Sequence, residues 1–121
     1  MRIFKNAWFS RFARKEGISD DELRDTVGLL EADQADADLG GDVYKVRIAR
    51  SGGGKSGGYR VIVYFRSGER TVYAYGFAKS DRANISQSEL RAFKSSAKDQ
   101  LSLTDEQLEE WIKKRTLIEI K

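Results

Sequence analysis

The chain contains no cysteine and no histidine, which excludes disulfides, thiolate nucleophiles, zinc sites built on those ligands and every mechanism that turns on an imidazole. Proline is absent as well, so turns fall to glycine and to Asp, Asn or Ser. No apolar run approaches the ~20 residues of a membrane helix. The opening Met1-Arg-Ile-Phe-Lys5 lacks the apolar stretch and small-residue cleavage site of a secretory signal. A cytoplasmic location is the expectation, with the 121 residues forming one domain, 1–121, around a modest core.

Charge is present but unevenly distributed. Residues 1–15 carry five basic and no acidic groups, residues 16–42 one basic and ten acidic, and residues 43–82 nine basic against two acidic. Such a two-signed chain either offers a basic face to a polyanion or pairs its acidic segment with its basic one. The basic excess coincides with Tyr44, Tyr59, Tyr64, Tyr73 and Tyr75, every tyrosine in the chain. Cations for phosphates beside rings for bases are what a single-stranded nucleic-acid site requires.

Three segments share a helix-start pattern: Ile18-Ser19-x-x-Glu22-Leu23, Ile85-Ser86-x-x-Glu89-Leu90 and Leu103-Thr104-x-x-Gln107-Leu108. In each, the hydroxyl and the Glu or Gln can satisfy first-turn amides while the flanking apolar pair closes as a staple. Helices are predicted to begin near 19, 86 and 104. A further helix is predicted over Asn6 to Glu16, with Phe4, Trp8 and Phe12 spaced to face the core. Strands are predicted at Val43–Ala49, Tyr59–Arg66 and Arg70–Ala78. Ser67-Gly68 joins the last two as an antiparallel hairpin. Alternation separates Tyr59, Val61, Val63 and Phe65 from Arg60, Ile62, Tyr64 and Arg66, which predicts one apolar, helix-covered face and one cationic face. The acidic stretch 32–41 reads as a loop, and Leu117-Ile-Glu-Ile120 as an edge strand or a packed tail.

Gly54-Lys55-Ser56 invites comparison with a nucleotide-binding loop, but the first glycine of that pattern would fall at Ala49, and a strand follows where the nucleotide fold needs a helix. Composition alone makes 51–58 a solvated hairpin connection. Its place beside Tyr59-Arg60 brings Lys55 toward the basic strand. Asp33, Asp36 and Asp38 lack the glycine and terminal glutamate of a calcium loop. The sequence therefore reads as needing neither a metal nor a cofactor.

Taken together, Lys45-Val-Arg47-Ile-Ala49, Gly54-Lys55-Ser-Gly-Gly58-Tyr59-Arg60-Val-Ile62 and Tyr75-Gly-Phe77-Ala-Lys79-Ser-Asp-Arg82-Ala-Asn84-Ile85 resemble the RelE-type toxins of bacterial toxin–antitoxin modules, most closely the HigB-like group. The resemblance covers roughly 43–100 well and the flanks loosely. It implies an α+β fold: a twisted antiparallel sheet covered by helices on one face, with additional C-terminal helices. It also implies a basic surface that enters the ribosomal A site and cuts messenger RNA through attack of the 2′-hydroxyl on the adjacent phosphate. The implied partners are the ribosome, mRNA and a cognate, HigA-like antitoxin.

Carried over by motif, Arg60 takes the phosphate-contacting role and is assigned the transition-state charge, with Lys55 or Lys79 for proton transfer. Lys45, Arg47, Tyr59, Tyr73, Tyr75 and Arg82 are assigned to RNA binding. This chain departs from many relatives in having Ser80 after the turn lysine, and Ser86 near a position where some have tyrosine. A gyrase-inhibiting toxin of the related ParE type and a non-catalytic RNA-binding module are the competing functions; convergence of cations on Arg60 favours the nuclease.

Overall fold

The computed structural model describes residues 1–49 and 58–121. Its elements run β1 (Arg2–Asn6), α1 (Ala7–Glu16), α2 (Asp20–Glu31), β2 (Ala37–Gly40), β3 (Val43–Ile48), β4 (Tyr59–Arg66), β5 (Arg70–Ala78), α3 (Gln87–Leu101), α4 (Asp105–Lys113) and β6 (Leu117–Ile120). The six strands form one sheet in the order β2-β3-β4-β5-β1-β6.

The class is α+β as expected, but the sheet is mixed. β1 runs parallel to β5, whereas the other pairings are antiparallel. Nor are the helices confined to one face. Phe9 and Ala13 of α1 and Leu23, Val27 and Leu30 of α2 pack with Tyr59, Val61, Val63, Phe65 and Tyr73 on the first face. Ala97 and Leu101 of α3 and Leu108 of α4 pack with Phe4, Val43, Ile62, Tyr64 and Val72 on the second. The reason lies in β4, where the residues alternating with the first face include the apolar Ile62 and Tyr64 between Arg60 and Arg66. Only the ends of that face are left to cations.

All three helix starts form as the pattern predicts. Ser19, Ser86 and Thr104 are N-caps, and each accepts the amide of the residue three positions on at 3.1 Å. The Glu or Gln at that position returns a bond to the cap amide. The β4–β5 hairpin forms in the expected register, with Arg66 opposite Arg70 and Gly68 at φ +72°, a conformation in which glycine alone carries no Cβ penalty.

The N-terminus departs from expectation. Residues 2–6 are a strand, Asn6 is the N-cap of α1, and Phe4 is buried in the second-face core while Trp8 is 39% exposed. The acidic stretch is also more ordered than a loop: Ala37–Gly40 pairs with β3 as an edge strand. Within it Asp36 pairs with Arg47 at 3.0 Å, and the flanking Asp42 and Asp20 pair with Arg66 at 3.1 Å and Lys5 at 2.9 Å. Leu117–Ile120 takes the edge-strand alternative, antiparallel to β1.

One irregularity decides the placement of the tyrosines. Ile62 pairs with Tyr75 but Val63 pairs with Tyr73, so Ala74 is an extra residue on β5, a β-bulge. A bulge breaks the two-residue alternation. Tyr73 therefore joins the first-face core while Tyr75 packs against the second.

Candidate RNA-binding face

The functional candidates come from β3, β4 and β5 at the end of the second face. Register places Arg47, Arg60 and Phe77 side by side across the three strands, with Lys45, Ile62 and Tyr75 in the next row. Neighbouring strands lie ~4.8 Å apart, so the cations of one row are within reach of a single phosphate. α3 covers the sheet further along, where Phe93 meets Tyr64 and Tyr75 at ring separations of 6.5 and 5.7 Å.

The cations differ in how they are engaged. Arg47 pairs with Asp36 at 54% and 30% side-chain exposure. An exposed pair of this kind contributes about 0–1 kcal/mol, which a phosphate can readily replace. Arg82 is held more firmly: its guanidinium spans both oxygens of Glu89 at 2.6 and 3.0 Å and reaches the Tyr75 hydroxyl at 3.1 Å. It also lies 5.4 Å from the centre of the Phe77 ring. Lys45, Arg60 and Lys79 enter no ion pair among the described residues. Arg60 is distinctive, because its Nη1 is buried and has no hydrogen-bond partner among the described residues. Leaving a buried charged donor unpaired is costly, and an arriving anion would satisfy it. Lys79 is exposed at the hairpin edge, its amide donating to the Gly58 carbonyl at 3.3 Å. Lys55 and the glycine-rich turn lie outside the described residues.

Two of the aromatic assignments are overturned. Tyr73 is fully buried and its hydroxyl donates to the Leu23 carbonyl; burial pushes that phenol upward from its usual range. Tyr59 is 2% exposed, with its hydroxyl donating to the Glu16 carboxylate at 2.9 Å. Neither ring can stack on a base, because each faces the α1–α2 side of the sheet. Tyr75 lies on the second face, opposite Ile62 in the row beside Arg60.

The sequence reading did not identify Glu89 and Trp8 as part of this region. Glu89 was visible only as a helix-capping residue. The same carboxylate that accepts the Ser86 amide at 2.8 Å also fixes Arg82. Ser86 is the N-cap of α3. Hydrogen bonding from Arg82, then from the Ser86 backbone, lowers the Glu89 carboxyl to about 2 from a model-compound value of 4.5. A depressed carboxyl contributes stability above its unfolded value and loses it as pH falls through the folded one. The Arg82–Glu89 clamp should therefore persist through pH 4.5 and release only on approach to pH ~2. NMR titration of the Glu89 side chain would show this, and a midpoint near the ordinary carboxylate value would contradict it.

Gly58 completes the motif before Tyr59-Arg60 for a steric reason. A Cβ there would stand 2.5 Å from the Ile48 carbonyl oxygen, a backbone atom of β3. Gly58→Ala is expected to spread β3 from β4 beside Arg47 and Arg60, costing about 1–3 kcal/mol. Gly28→Ala in α2, where no atom lies within 4 Å of the added Cβ, is expected to add about 0.5–1 kcal/mol. Thermal unfolding of the two variants should move in opposite directions.

This arrangement defines a small α+β protein with a basic edge across three adjacent strands and an aromatic border. A family model described as RelE toxin of RelE / RelB toxin-antitoxin system matches residues 1–120. The chain belongs to the RelE toxin family. No curated protein matches it.

Proposed function

We propose that the chain is a HigB-like, ribosome-dependent endoribonuclease that cuts mRNA without a metal, and that residues 1–121 act as one toxin domain. The reading is carried by Arg60, whose buried guanidinium nitrogen, without a hydrogen-bond partner among the described residues, stands in a row with Arg47 and one row from Lys45. Cleavage by the 2′-hydroxyl requires a base that takes the hydroxyl proton as the oxygen bonds to phosphorus, stabilisation of the developing negative charge, and protonation of the 5′-oxygen that leaves. Fixed cations contribute to the last two. Arg60 would bind the scissile phosphate, Lys45 and Arg47 the strand beside it, and Lys79 would stand at the hairpin edge as the proton donor. The family's description pairs a RelE toxin with RelB, which supports a cognate antitoxin as a partner.

Primer extension on transcripts after induced expression should reveal cuts within translated regions. Purified toxin on programmed ribosomes should leave a 2′,3′-cyclic phosphate upstream, tolerate chelator under conditions that keep the ribosome assembled, and fail on a message with a 2′-deoxy sugar at the cut. Intact transcripts with a DNA-damage response would point to gyrase instead. Loss of cleavage with chelator and its return with a specific metal would overturn the metal-free mechanism.

A further inference from the structure

Trp8 is one of the exposed large hydrophobic residues among the described part of the chain, at 39%. Its neighbours Phe9 and Ala13 supply the core contacts of α1, so packing does not require a tryptophan at position 8. The ring is nevertheless held in place. It stacks on Phe12 at 5.3 Å and 14° and lies 4.6 Å from Tyr75. Tyr75 in turn lies 6.1 Å from Phe77, the cross-strand neighbour of Arg60. An aromatic shelf thus runs from the Arg60 row to the outer side of α1.

Two features keep that shelf in position. Asn6 ties the start of α1 to the bulge, its side-chain amide donating to the Ala74 carbonyl at 2.9 Å while its oxygen accepts the Phe9 amide at 2.7 Å. Gly76 lets Phe12 lie across β5, since a Cβ there would be 2.6 Å from the Phe12 ring.

Trp8 and Phe12 form walls of two clefts. One, of about 250 Å³, is shared with Tyr75, Phe77 and Arg82. The other, of about 210 Å³, is rimmed by Arg11 and Lys15. Glu16 and Asp81 also border the first cleft, but Glu16 is engaged by the Tyr59 hydroxyl. Residues 1–15 contain no acidic residue. A protein partner docking on these rings would be matched by an apolar rim, whereas the cationic rim favours a polyanion that carries flat rings.

We propose that the exposed surface of Trp8, beside its contacts with Phe12 and Tyr75, stacks one unpaired base of the RNA whose phosphate Arg60 holds, and that Arg11 and Lys15 hold an adjoining phosphate. The proposal rests on the endoribonuclease reading for its RNA but assigns a separate subsite to it. A rigid platform binds with little ordering cost, and every base has a face to offer, so the subsite favours single-stranded RNA over any one base.

The test is a cycle between ring and base. Ribosomes are programmed with a message carrying a single abasic ribonucleotide at each position flanking the cut in turn, and wild type, Trp8→Phe and Trp8→Ala are compared. One abasic position should slow wild type about 5- to 150-fold, Trp8→Ala should be slowed similarly on the intact message, and the two losses should not add. Trp8→Phe should recover most of the rate. Additive losses at every position, or unchanged cleavage by folded Trp8→Ala, would overturn the proposal, and loosening of the antitoxin complex alone would reassign the shelf to a protein partner.

Wild type and Arg60→Ala separate this result from the reading beneath it. If Arg60→Ala cuts normally, cleavage stands and Arg60 alone leaves the site; if wild type cuts nothing, the nuclease assignment fails. Trp8 then remains testable in a Trp111→Phe background, where its emission should be quenched at low salt by an oligoadenylate heptamer and not by the abasic heptamer. Equal quenching by both oligomers, or by neither, would overturn stacking.

Discussion

Replacing Arg60 with alanine is expected to reduce cleavage on the ribosome about 10²- to 10³-fold, the usual effect of losing one fixed group that stabilises transition-state charge, while leaving the fold intact. Stability should hold because the guanidinium makes no ion pair, and its buried Nη1 no hydrogen bond, among the described residues. Its removal takes away an unsatisfied donor rather than a contact, so the melting temperature should stay level or rise slightly. Single-turnover cleavage beside thermal unfolding would check both halves. A variant that cuts at the wild-type rate removes Arg60 from the site; one that loses activity only by unfolding makes it a structural residue. Arg60→Lys should recover little, because an ammonium lacks the planar fork that grips two phosphate oxygens.

Phe4→Ala is expected to cost about 3–5 kcal/mol, in the range for a buried phenylalanine whose cavity cannot collapse. Trp8→Ala should cost far less stability. The two residues share the helical spacing that made both look like core. Phe4 is 0% exposed in a strand lying between β5 and β6, whereas Trp8 is 39% exposed on the helix that follows. Denaturant unfolding of the pair measures the difference directly. Equal losses would mean that α1 packs through Trp8, which would also remove the reason to give that ring a role in recognition.

What could be read in advance was local. The three capping boxes involve residues three positions apart, so their chemistry is complete within one turn, and each formed. The β4 and β5 boundaries were equally legible from β-branched runs around Ser67-Gly68. Features that depend on distant partners were not. Arg2–Asn6 is a strand because β5 and β6 flank it, and nothing in Arg-Ile-Phe-Lys-Asn announces either neighbour. The bulge at Ala74 had no local mark, yet it moved Tyr75 to the opposite face from Tyr73. Alternation on β4 gave the correct faces, but Ile62 and Tyr64 left room there for α3, which is why the second face is cationic only at its end. Of the candidate cations, Arg47 and Arg60 stand opposite each other on β3 and β4, with Lys45 one row away opposite Ile62. Glu89 and Trp8 were missed because the first was already explained by a cap and the second by a periodicity.

The pairing of β1 with β6 sets an order of assembly. β3, β4 and β5 are neighbours in sequence and can associate as soon as Ala78 has been made, so the strands bearing Arg47 and Arg60 can form early. β1 is synthesised first, yet its outer side stays open until Leu117–Ile120 arrives to pair with it. Arg2 likewise waits for Glu119, which it meets at 2.9 Å. Until then the nascent chain carries an unfilled strand edge beside the completed hairpin. Closure of the sheet is deferred until Leu117–Ile120 is free to pair.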